Sequence, residues 1–213
     1  SIPYFWGTLG IVYNDKFFDE GEITQWDDLW KPELANSIML IDGAREVMGL
    51  GLDSLGYSLN SKDDDQLQEA FNKLRTMTPN IKAIVADEIK MYMANEEASV
   101  AVTFSGEAAD MMYENEHIHY VIPSEGSNLW FDNMVIPKTS QNEAGAYAFL
   151  NFMLEPENAA QNAEYIGYST PNQAAMALLP DEITEDEQFY PSDELMEHLE
   201  VYENLGAEYL GIY

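Results

Sequence analysis

The stretch "IKAIVADEIKMYMANEEASVAVTFSGEAADMMYENEHIHYVIP", residues 81–123, decides the fold. It opens on a β-branched apolar run (81–87) that reads as a strand. A helix-compatible segment follows (88–97), then a second strand (98–105), a second helix (106–116) and a third strand (117–123). Short apolar strands alternating with helices argue for an α/β architecture with a largely parallel sheet. Working toward the N-terminus, "SIMLID" (37–42) is a buried-strand candidate. It feeds a helix in 43–58 striped by Val47, Leu50 and Leu55 and closed by Gly56. Residues 61–79 form the clearest amphipathic helix, with Leu67, Phe71 and Leu74 on one face and Pro79 just past its end. "TQWDDLW" (24–30) reads as a short helix capped by Thr24, and "TLGIVYN" (8–14) as a strand. Toward the C-terminus, "SEGSN" (124–128) is a loop, a candidate crossing between lobes, and "LWFDNMVIP" (129–137) a strand. Helices are expected over 142–156, with Ala146, Phe149, Leu150 and Met153 on the apolar face, and over 157–167, ending at Gly167. The tail is acidic and reads as helical from Ser192 onward.

Charge narrows the function. Thirty-nine acids against nine bases give a formal net charge of −30 over 213 residues. Such a field repels nucleic acid and anionic membrane and attracts metal ions and organic cations. Hydrophobic residues make up 46% of the chain, enough for a packed core. There is no cysteine, which excludes disulfides, zinc thiolates and thiol catalysis. No apolar run reaches the roughly 18 residues of a membrane span. No nucleophile elbow, phosphate loop or dinucleotide fingerprint is present. His117 and His119 share one side of a strand, and the paired acids are too many for proximity to diagnose a glycosidase. No metal or cofactor is expected.

Four places fall at strand ends, where α/β sheets bind ligands. In "IDGARE" (41–46), Asp42 stands at a strand edge and Glu46 in the first helical turn, where capping is the plainer role. In "TFSGE" (103–107), Phe104 ends a strand and Ser105 suits an N-cap. Trp130 and Asp132 are two apart in a strand and point the same way, with Phe131 turned to the core. A ring and a carboxylate on one face suit an ammonium. The ring offers cation–π attraction of about 0.5–2 kcal/mol. The carboxylate offers about 4 kcal/mol at 4 Å in an effective dielectric near 20. In "IGYSTPN" (166–172), Tyr168 follows a helix-ending glycine and is placed to close a pocket.

The stretches "PYFWGTLGIVYN", "WDDLWKPEL", "DGAREVMGLGLDSLGYS", "LWFDNMVIP", "NFMLEPENA" and "IGYSTPN", spread from residue 3 to about 175, resemble the polyamine-binding members of the periplasmic substrate-binding proteins of ABC transporters. The resemblance implies a type II periplasmic-binding-protein-like clamp. Residues 8–128 would be one complete lobe, 129–176 the returning part of the other, and 177–213 a tail packing on the first-named lobe. It implies that about 100 residues of the family's usual length precede this chain. It implies ligand contacts at Asp42, Glu46, Phe104, Trp130, Asp132 and Tyr168, with Tyr202 near a further polar contact. Family members often carry an acid where this chain has Gly43, and commonly Trp where it has Phe104. The partners implied are spermidine or putrescine and the membrane permease. The location implied is the extracytoplasmic face of a bacterial membrane. A fragment with a bare lobe face would self-associate. Ferric iron as cargo, an acid-pair glycoside hydrolase and a non-binding structural lobe remain the alternatives.

Overall fold

The computed structural model describes residues 1–213. The chain runs β1 (Ile2–Asn14), two 3-10 turns (Trp26–Trp30 and Pro32–Leu34), β2 (Ile38–Ile41), α1 (Ala44–Asp53), α2 (Asp64–Met77) and a 3-10 turn (Thr78–Asn80). Then come β3 (Ile81–Val85), α3 (Glu88–Ala94), β4 (Val100–Phe104), α4 (Ser105–Glu114), β5 (Ile118–Val121) and β6 (Ser127–Met134). The last part holds α5 (Glu143–Leu154), α6 (Pro156–Ile166), α7 (Gln173–Met176), α8 (Asp181–Thr184), α9 (Asp193–Met196), β7 (Leu199–Glu200) and α10 (Gly206–Leu210). No helix is long and apolar enough to cross a membrane.

The alternation over 81–123 forms as the sequence predicts, and β2 lies parallel to both β3 and β4. All four β2 residues are buried, as a strand covered on both faces requires. The sheet as a whole is mixed. Its order is β3-β2-β4-β1-β6-β7, with β5 also on β1, and β1 runs antiparallel to β4, β5 and β6. The parallel expectation therefore holds for the β2–β3–β4 half. The reason is β1, which begins six residues earlier than the sequence suggests. Residues 2–8 pair with β6, and residues 11–14 pair with β5. The hand-over is sealed where the Ser127 hydroxyl donates to the Leu9 carbonyl at 2.6 Å. The main core surrounds this sheet, from Leu9 to Ile122. A small second cluster joins Ala159, Ala160 and Ala163 of α6 to Ala175 and Leu179.

Several local expectations change. At the 3-10 turn of Trp26–Trp30 the capping acid is Asp28, which accepts from the N–H groups of Thr24 and Gln25 at 2.8 and 2.9 Å. Asp27 pairs with Lys73 instead. Lys31, ahead of the backbone bonds, holds Asp28 below the usual carboxylate range against its partial burial. In α2, Leu67 is buried but Phe71 is 47% exposed. In α5 only Leu150 is buried, and Tyr147, Phe149 and Phe152 are all more than half exposed. The tail is not one helix. Leu199 and Glu200 pair with Ser127 and Asn128 of β6, so edge pairing overrides the helical periodicity after Met196. The tail also touches each cluster, including a third one formed by Met48, Leu52, Leu67 and Ala70, on which Tyr209 and Tyr213 pack. Ile183 and Tyr190 pack on the α6 cluster, Leu195 and Leu199 on the main core. His117 and His119 both hydrogen-bond Asp15, at 2.7 and 2.9 Å, and these bonds hold its carboxyl below the usual range.

Candidate functional site

The carboxyl ends of β2 and β4 open beside β6, and there the chain builds a cleft of about 310 Å³. Six of the seven residues singled out from sequence line it: Glu46, Phe104, Trp130, Asp132, Tyr168 and Tyr202. Glu46 comes from the first turn of α1 and Phe104 from the last position of β4. Trp130 and Asp132 stand opposite Gly7 and Phe5 in the β1–β6 ladder. Ser105 does not cap α4 with its side chain. Its hydroxyl accepts from the Thr8 N–H at 3.3 Å, which ties the β4–α4 corner to β1.

Tyr168 is aimed by the left-handed turn at Gly167 (φ 78°), which ends α6. The rings form an edge-to-face series, with Phe104 and Trp130 centroids 6.0 Å apart and Trp130 and Tyr168 4.8 Å apart. Gly106 makes this possible, because a Cβ there would overlap the Tyr168 ring. Gly106→Ala is therefore expected to push that ring out of its edge contact with Trp130 and to cost about 1–3 kcal/mol of stability. Thermal unfolding and the Trp fluorescence maximum measure the two effects, and no change in either would contradict this packing.

Tyr202 reaches the cleft from the tail. Arg45, at the second position of α1, lies 4.3 Å from its ring centre and 4.9 Å from that of Tyr213. The same guanidinium donates to the Leu59 carbonyl at 3.2 Å and to Asn60 Oδ1 at 3.0 Å. Asn60 Oδ1 also accepts from the Glu203 N–H at 2.8 Å, so the tail is stapled across α1. Burial, then Glu46, raises the Tyr202 hydroxyl pKa, with Arg45 opposing. Burial, then Glu107 and Asp132, raises that of Tyr168. Both phenols stay neutral. Two polar atoms of the cleft's residues, Trp130 Nε1 and Tyr202 Oη, are buried without a hydrogen-bond partner.

Asp42 lies outside the cleft. The turn in which the Gly43 N–H donates to the Ile41 carbonyl leaves it exposed. Two lining residues were missed. Asn128 was assigned to a loop but is buried at the start of β6, donating to the Glu200 carbonyl at 3.1 Å. Phe131 does not enter the core. It is 41% exposed and also lines the cleft, although Leu129, on the same side of β6, is buried. A somewhat larger cleft, about 380 Å³, lies between Phe17, Glu33 and Glu96. It sits at the opposite end of the sheet, beside the residues that precede β2 and β4, and its Glu96 is already paired with Lys16. The β6 cleft has rings, carboxylates without ion-pair partners and the strand-end position together. Such an arrangement can hold an organic cation and offers no nucleophile paired with a base.

Residues 1–191 match the family described as bacterial extracellular solute-binding protein. The chain belongs to that family. Among solute-binding proteins of known structure, it superposes on the spermidine/putrescine ABC transporter substrate-binding protein of Streptococcus pneumoniae with a TM-score of 0.92. The two are 65% identical, and the match covers 99% of this chain and 65% of that one. A putative spermidine/putrescine ABC transporter protein from Listeria monocytogenes is 64% identical over the same shares, also with a TM-score of 0.92. The spermidine/putrescine-binding periplasmic protein of Escherichia coli is 38% identical over 207 residues, which is 97% of this chain and 60% of that protein. This solute-binding chain thus spans about 60% of the length of that curated relative.

Proposed function

We propose that this chain supplies one side of the polyamine-binding cleft of an ABC importer's extracytoplasmic binding component, and that it binds its ligand without transforming it. The observation that supports this reading is the convergence of Glu46 and Asp132 on the rings of Phe104, Trp130 and Tyr168 in a single cleft. A polyamine is a string of ammoniums joined by methylenes. Carboxylates meet the first and aromatic walls the second. In this reading 8–128 is one lobe, which holds the main core and a cluster of Met48, Leu52, Leu67 and Ala70, and 129–176 is the returning part of the other. β1 and β6 cross between them, and the tail of 177–213 touches both. The exposed rings of α5, with Phe149 and Phe152 on adjoining positions three residues apart, are the surface through which the isolated chain self-associates. Closure over the ligand presents a surface to the permease.

Calorimetric titration of the full-length protein with spermidine, putrescine and lysine tests the reading. Saturable binding of the polyamines, and not of lysine, is expected. Colour on adding ferric salt, or turnover of a chromogenic glycoside panel without polyamine binding, would replace it with the iron or hydrolase alternative.

A further inference from the structure

Gly43 lacks a side chain at the one point where Glu46 needs room. Its backbone is extended (φ −152°, ψ 117°), a conformation open to any residue, so freedom of torsion is not what the position requires. A Cβ built there falls 2.9 Å from Glu46 Cδ and overlaps the carboxylate oxygen Oε2. Glu46 is the third residue of α1, and its carboxylate folds back over the first turn, where unpaired N–H groups and the helix dipole favour negative charge. No hydrogen bond or ion pair holds it.

We propose that Gly43 is a specificity-determining residue: by leaving that space open it fixes where the α1 side of the cleft carries its negative charge, and so which spacing of ammonium groups the cleft accepts. The proposal rests on the polyamine reading above. Any side chain at position 43 forces Glu46 into another rotamer while Asp132, on β6, stays where it is. The fold tolerates the change because only the free end of a flexible side chain must move. The ligand does not, because two ammoniums on one chain meet two carboxylates only at a matched separation.

The test is titration of the full-length protein and its Gly43→Ala variant with three-, four- and five-carbon diamines and with spermidine, beside thermal unfolding. The expected result is an unchanged melting temperature, at least about fivefold weaker binding of the parent's preferred amine, and a changed order of preference. In a Glu46→Gln background, Gly43→Ala should change nothing further. Equal affinities and an unchanged order in parent and variant would overturn the inference and leave the polyamine reading standing. A parent that binds none of these amines would overturn both.

Discussion

At pH 8, Asp53→Asn raises the melting temperature of the chain by at least about 5 °C, and below about pH 4 the same substitution leaves it nearly unchanged. Asp53 ends α1 and is 7% exposed. Burial pushes its carboxyl up to about 8, with Glu200 and then Glu125 adding to the rise and Trp26 opposing it. Glu200 faces it from β7, and Glu125 from the loop before β6. The helix C-terminus disfavours a negative charge as well. In the unfolded chain an aspartate loses its proton near pH 4. Between about pH 4 and 8 the folded state therefore holds a proton that the unfolded state has released, and stability declines as pH rises through that window. The stabilisation from the proton is complete below about pH 4 and gone above about pH 8, a change on the order of a few kcal/mol. Asparagine has no proton to lose, so the difference between variant and parent grows with pH. An equal shift at both pH values would mean that the carboxyl is ionised throughout.

Asp132→Asn in the full-length protein weakens polyamine binding at least tenfold, about 1.4 kcal/mol or more, while the fold keeps its melting temperature. Asp132 is exposed on β6 and takes part in no ion pair or side-chain hydrogen bond, so its removal leaves nothing unpaired. On the polyamine reading proposed above, a carboxylate that the fold does not need, lining the same cleft as Trp130 and Glu46, is expected to contribute to binding alone. At 4 Å from an ammonium it contributes about 4 kcal/mol before desolvation is subtracted, and the tenfold figure allows for that cost. An unchanged dissociation constant would count against the polyamine reading.

The β2–β3–β4 half of the sheet was legible because its strands are short, mostly apolar runs set between helices, a pattern that depends on neighbours in sequence. β1 was half legible. "SIPYFWG" carries no alternation, and its pairing partner is β6, more than a hundred residues away. The tail misled for the same reason. Its helical spacing is real, but the open edge of β6 captures Leu199 and Glu200. In the cleft, the two-residue spacing of Trp130 and Asp132 and the strand-end positions of Glu46 and Phe104 were readable from period and topology. Alternation misplaced Phe131 in the core; it is exposed and lines the same cleft as Trp130 and Asp132. Tyr202 was reached only through family resemblance. What brings it to the cleft is a cation stacked between two rings, which no local pattern encodes.

β1 changes neighbours along its length, pairing with β4 through residues 9–13 and with β6 through residues 2–8. One continuous strand therefore sets the places of Phe104, opposite Leu9, and of Trp130 and Asp132, opposite Gly7 and Phe5, so a register slip in β1 would displace both walls of the cleft at once.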